Sequence, residues 1–176
     1  MWSSRDKTLW SAFVSMGSLY EGWVNGDERA CRRLPTRIFY EAVGKTITGY
    51  KSRKATQANS QKNNTDDHFA MPQWIGRFIM DNGHIYLKDF DRFKEIAVFA
   101  AQTIRVTKKE NRILSLQTSE ISTIDGVNVF IETSVRDKYK KAGIMLWDKK
   151  EGWIDDFPII IPEEILIYER QFLRNE

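Results

Sequence analysis

The stretch Asn64-Thr65-Asp66-Asp67-His68 sets two carboxylates directly before one of only two histidines in the chain, with Pro72 four residues on. An imidazole can take a proton from water, and a carboxylate can hold Mg²⁺ against a phosphate. The pair therefore has most of the parts for one-metal phosphodiester hydrolysis, provided a second oxygen ligand comes from elsewhere. On an extended segment adjacent side chains point to opposite sides, so Asp67 can grip an ion while His68 faces the attacking water. A second ligand is offered where Thr103-Ile104-Arg105-Val106, a short strand, leads into Thr107-Lys108-Lys109-Glu110-Asn111-Arg112. Thr107 and Glu110 have the spacing of a capping box, which favours Glu110 as part of the helix start. Asn111 has poor helix propensity, which favours a task for its side chain. Lys108, Lys109 and Arg112 stand beside it and favour phosphate.

The elements that must position these groups follow from periodicity. Residues 7–23 carry apolar side chains at helical spacing, and Asn25-Gly26 reads as a stop. Pro35 is expected to open a short helix over 36–43, ended by Gly44. Thr46 to Tyr50 alternates like a strand. Residues 52–66 hold almost nothing that can be buried and read as a flexible loop, ordered only on a partner. Helices are expected from Pro72 to Asn82 and from Lys88 to Ala101, then the strand at 103–106 and the helix after it. Strands at 127–135 and 144–147, a short helix at 136–142, a turn at 149–152 and a last helix from Pro162 complete the chain. The fold class is α+β, helix-rich and mixed, in a single domain of three parts: 1–45 helical, 46–118 carrying the chemistry, and 119–176 C-terminal.

The pair Asp67-His68, followed by Pro72 and by Val106-Thr107-x-x-Glu110-Asn111-Arg112-x-Leu114, resembles the HNH, or ββα-metal, nucleases. The likeness is to zinc-free divergent members of the kind found in phage genomes. It implies a ββα core carrying helical insertions and Mg²⁺- or Mn²⁺-dependent cleavage of DNA inside the cell. It also implies His68 as general base, with Asp67 and Asn111 as metal ligands. Asn82 is the nearest counterpart of the family's middle residue.

Charge distribution supports a phosphate partner independently. Residues 29–62 hold nine basic side chains against one acid, Glu41, while from Asp148 onward eight acids face four bases. Such a concentrated basic segment in a chain of net charge +3 suggests a surface for nucleic acid. Arg53, Lys54, Lys62, Lys108, Lys109 and Arg112 are the candidate backbone contacts. A non-catalytic nucleic-acid-binding or interaction protein using the 29–62 segment is the alternative, and an accessory factor using the acidic C-terminal part is a third reading. A homodimer and a protein partner for that acidic part are both compatible with the sequence. Asp125 and Glu132 resemble the paired acids of another nuclease class, but Thr133 and Ser134 stand where its lysine would be. Cys31, the single cysteine, excludes an internal disulfide framework, and no Cys/His cluster has zinc spacing. No apolar run approaches the ~20 residues of a membrane span. The tryptophans at 10, 23, 74, 147 and 153 fall at apolar positions or turn edges, and most of them are expected in the core. His84 is expected in an exposed turn.

Overall fold

The computed structural model describes residues 2–26, 29–58, 61–117, 120–124, 127–131, 138–154 and 159–173. It is α+β, and it divides into two compact units: 1–46 with 68–102, and 47–67 with 103–176. Residues 68–102 thus join the N-terminal helices, so the units do not follow the three consecutive parts expected from sequence.

The first unit is helical. Helix α1 (Ser4–Asn25) begins in a capping box between Ser3 and Asp6 and ends at Gly26, whose φ of 73° is accessible at little cost to glycine. Helix α2 (Arg29–Val43) starts seven residues earlier than expected and contains Pro35 rather than opening on it. An interior proline forfeits one backbone bond and costs about 3 kcal/mol. Here the buried Pro35 ring, Phe39 and Val43 form one apolar face that offsets the loss. Further along the chain come α4 (Pro72–Asp81), α5 (Gly83–Tyr86) and α6 (Phe90–Ala100), while α3 (Arg53–Gln57) belongs to the second unit. Helix α4 is buried nearly all round, through Trp74, Ile75, Phe78, Ile79 and Met80. Gly76 lets it lie against α2: a Cβ there would stand 3.1 Å from both Phe39 Cβ and Thr36 Cα. Helix α6 is capped by Asp89 and buries Phe93, Ile96, Ala97 and Ala100 against this core.

The second unit is built on a five-stranded mixed sheet of order β2-β3-β1-β6-β7. Its strands are β1 (Thr46–Ser52), β2 (Asn64–His68), β3 (Gln102–Thr107), β6 (Leu146–Asp148) and β7 (Gly152–Ile154). Separately, β4 (Glu120–Ile124) and β5 (Val127–Ile131) pair as an antiparallel hairpin, and the rest of the strand expected to 135 lies outside the described residues. Phe69 N–H donates to Gln102 O and Asp66 meets Arg105, so β2 and β3 run antiparallel. Thr46 N–H donates to Ala101 O and Thr48 Oγ1 to Thr103 O, so β1 and β3 run parallel and leave the sheet at the same end. Helix α3 (Arg53–Gln57) follows β1 directly, and α7 (Lys108–Gln117) follows β3. Helices α8 (Lys138–Lys141) and α9 (Glu163–Leu173) complete the unit.

Where a flexible loop is expected over 52–66, the described residues form short elements. Ser52 Oγ accepts from Ala55 N–H and caps α3, Ala55 is buried, a 3-10 turn follows at Gln61–Asn63, and Asn64 to His68 form β2. Asn64 Nδ2 donates to Ala55 O at 3.2 Å, tying the segment's two ends. Short polar side chains that bond to nearby backbone can order a stretch with little apolar content; residues 59–60 are outside the description.

Candidate nucleic-acid interface

Because β1 and β3 are parallel neighbours, the helices they feed begin side by side. The buried Glu110 carboxylate clasps the two starts together. Its Oε2 accepts from Ser52 Oγ at 2.6 Å and from Thr107 N–H and Thr107 Oγ1 at 2.9 Å each, while Glu110 N–H donates back to Thr107 Oγ1. The expected capping box is therefore present, and it extends to a residue 58 positions away. Around this clasp Arg53 and Lys54 occupy the first turn of α3, and Lys108, Lys109 and Arg112 the first turn and a half of α7; all five are exposed. Lys108 and Lys109, in the first turn of α7, oppose its dipole, each costing about 0.3–1 kcal/mol at an exposed site. Folding alone does not ask for them there. Lys62, also exposed, sits in the 3-10 turn before β2.

The acids of the same segments are held internally. Residues 47–67 and 103–117 contain eight bases and three acids, Asp66, Asp67 and Glu110. Asp66 receives a two-point contact from the Arg105 guanidinium, Nε to Oδ1 at 3.0 Å and Nη2 to Oδ2 at 3.3 Å, and this pairing raises the arginine's pKa. Asp67 Oδ2 accepts from Lys138 Nζ at 2.7 Å and from the Tyr139 hydroxyl at 2.6 Å. Lys138 and Asp67 are only 5% and 14% exposed. Burial, then the adjacent Asp67 charge and hydrogen bond, push the Tyr139 hydroxyl well above the usual tyrosine range.

The sequence's catalytic candidates divide accordingly. Asp67 and His68 are successive residues of β2, as the extended reading requires. The His68 Nε2 lies 2.9 Å from Gly44 O, so Nε2 carries the proton and donates to the carbonyl just beyond the end of α2. Its ring lies 6.3 Å from that of Tyr40. Asn111 is half-buried on α7, where its backbone carbonyl accepts from Ser115 Oγ. The Mg²⁺ implied by the resemblance meets an obstacle at Asp67, since a buried ammonium already neutralises that carboxylate and repels a second cation. As held here, Asp67 does not fit a metal ion. Among the described residues no group of three or more His, Cys, Asp and Glu side chains is arranged to hold one. Asn82 caps its own helix, Nδ2 donating to Phe78 O. His84 is exposed, in the short helix α5. The side chain of Cys31 and the acids Asp125 and Glu132 lie outside the described residues.

The basic run of 29–62 is not a single surface feature. Arg29 to Lys45 belong to the first unit and Lys51 to Lys62 to the second. Sequence reasoning missed Lys138 and Tyr139, which lie 71 and 72 positions from their carboxylate, and no local pattern announces such a pairing. It did not say which tryptophans leave the core: Trp74 is buried, but Trp10 and Trp153 are 41% and 44% exposed. The hairpin signal at 144–153 held the clue for Trp153, because a tight turn at 149–151 fixes which residues face one another. Among the described residues no helix is long and apolar enough to cross a membrane. Compared with protein-family models, curated proteins and solved structures, the chain matches none.

Proposed function

We propose that the chain binds nucleic acid through the sugar-phosphate backbone, using Arg53, Lys54, Lys108, Lys109 and Arg112, with Lys62 at the margin. One observation carries this reading: five exposed cations gather where β1 and β3 leave the sheet, while the three acids of the same segments are bonded internally. Five exposed cations around a scaffold whose acids are turned inward match the regular charge of a phosphate chain. Neutralising five phosphates gives a slope of about −4.5 in log affinity against log salt on duplex DNA. Fluorescence anisotropy with a labelled duplex across a salt series tests this. Lys108→Ala with Lys109→Ala should weaken binding across all sequences and reduce the slope by about 2. Binding that ignores salt, or is unchanged in the double variant, refutes the reading.

One observation favours a second reading, a metal-dependent nuclease. With α4 to α6 inserted between them, the sheet neighbours β2 and β3 followed by α7 keep the ββα order, and they carry Asp67, His68 and Asn111. Against it stands the Lys138 ammonium on Asp67. Plasmid nicking with Mg²⁺ or Mn²⁺, lost in His68→Ala while duplex binding persists, would establish cleavage. Binding without nicking leaves the first reading alone.

A further inference from the structure

The strands beside the cationic cluster present an aromatic row. In the register of β1, β6 and β7, Lys51 stands opposite Trp147 and Trp147 opposite Trp153, so the three share one face of the sheet. The next row, Ser52, Leu146 and Ile154, shares the other face, where Ser52 and Leu146 are buried in the core. The first face is open. Lys51 and Trp147 on it are half-buried, and a Cβ built on Gly49 would meet nothing within 4 Å. Trp153 is 44% exposed, with the Arg53 guanidinium 5.2 Å from its ring centroid. The only acid of these three strands, Asp148, has the alternation of the core face, and its Oδ1 accepts from Lys150 and Glu151 N–H in the turn.

An open sheet face bearing two indoles, flanked by Lys51 and Arg53 and with no carboxylate among its described strand residues, suits a ligand that is both planar and anionic. Duplex DNA hides its base faces in the stack and offers this surface only phosphates. A single strand offers both parts. We infer that the open face of β1, β6 and β7 is a stacking platform for single-stranded nucleic acid, with Trp153 as the principal base contact and Arg53 bridging ring and phosphate. The inference rests on the backbone-binding reading above and adds to it the class of strand.

The test measures affinity of the whole chain at low salt for three labelled probes of about 12 units: an oligothymidylate, an abasic strand of equal charge, and a duplex. The oligothymidylate should bind more tightly than the abasic strand and quench tryptophan fluorescence. Trp153→Ala should weaken oligothymidylate binding about 5- to 150-fold, leave duplex binding unchanged, and be largely rescued by Trp153→Phe. Equal affinity for the abasic strand and the oligothymidylate overturns the platform with the wild-type protein alone, whether or not the alanine variant folds. Equal oligothymidylate binding by wild type and Trp153→Ala overturns it too, while intact duplex binding would keep the backbone reading standing. Failure of all three probes to bind removes both.

Discussion

Replacing Glu110 separates its hydrogen-bonding role from its charge. All three of the bonds it accepts fall on one oxygen, Oε2, and the residue is 3% exposed. Glu110→Gln can set its amide oxygen in that place and keep every acceptor bond, losing only the strengthening that a charge confers. The expected cost is about 1 kcal/mol, roughly the difference between charged and neutral bonds. Glu110→Ala removes the acceptor outright. The fully buried Ser52 hydroxyl loses the carboxylate it donates to, Thr107 N–H loses its cap, and α7 loses half its capping box. Together these are worth about 3 kcal/mol. Urea unfolding followed by circular dichroism reads both variants, the loss appearing in the transition of the sheet-bearing unit. The glutamine variant also deletes a negative charge amid five exposed cations, so it should bind duplex DNA more tightly at low salt, the gain fading above ~0.15 M. If alanine and glutamine cost the same, or alanine costs under about 1 kcal/mol, the clasp does not join the two helix starts as argued.

Three further outcomes are expected. Tyr139, whose folded pKa lies above its unfolded value, stabilises the fold fully below about pH 10 and loses that contribution as pH rises toward the folded value; stability should fall there by up to about 1.4 kcal/mol per pH unit, and Tyr139→Phe should remove that slope in urea titrations at alkaline pH. Asp6 is held down to about 2, chiefly by the Lys94 side chain and then by Ser3, so its contribution is present above 3.8 and lost as pH falls through about 2; carboxyl NMR should show Lys94→Ala moving it back toward 3.8. Gly83→Ala would drive a methyl group into the Tyr20 ring and costs about 1–3 kcal/mol by overpacking, whereas Gly17→Ala, with open space around it, is neutral or stabilising in thermal melts.

The elements were legible wherever one local rule decided them. The spacing of Trp74, Ile75, Phe78 and Ile79 after Pro72 announced α4, and Thr107 with Glu110 announced the start of α7. Local rules failed where a distant partner or a weak bond network decided. Pro35 marks a helix start by itself, but the burial of its ring together with Phe39 carries α2 through it. Residues 52–66 lack apolar content, yet Ser52 and Asn64 tie that backbone down. The candidate site shows the same division. The cations of α3 and α7 could be named from composition, but their meeting at one sheet end depends on the parallel pairing of β1 and β3, across 55 positions in sequence. Trp153 reads as core by hydropathy alone; only the register against Trp147 and Lys51 reveals the face it occupies.

What a carboxylate can do depends on what already holds it, and this bears on the proposed readings more than residue type does. Asp66, Asp67 and Glu110 sit among bases, as a metal site beside phosphate would require. Each, however, is engaged by a different kind of partner: a guanidinium, an ammonium with a phenol, and a pair of hydroxyls with a backbone amide. Removing a partner from a buried ion pair such as Asp67 with Lys138 costs about 3–5 kcal/mol, because the remaining charge is stranded. A metal ion claiming Asp67 must overcome that cost before it contributes anything. A phosphate chain approaching Lys54, Lys108 and Lys109 displaces only water and small ions, and releasing those ions favours binding. The same internal bonds that oppose an ion at Asp67 pair its charge and that of Asp66 with scaffold cations, leaving Glu110 as the one uncompensated carboxylate of the three beside five exposed bases, an excess that suits a polyanion.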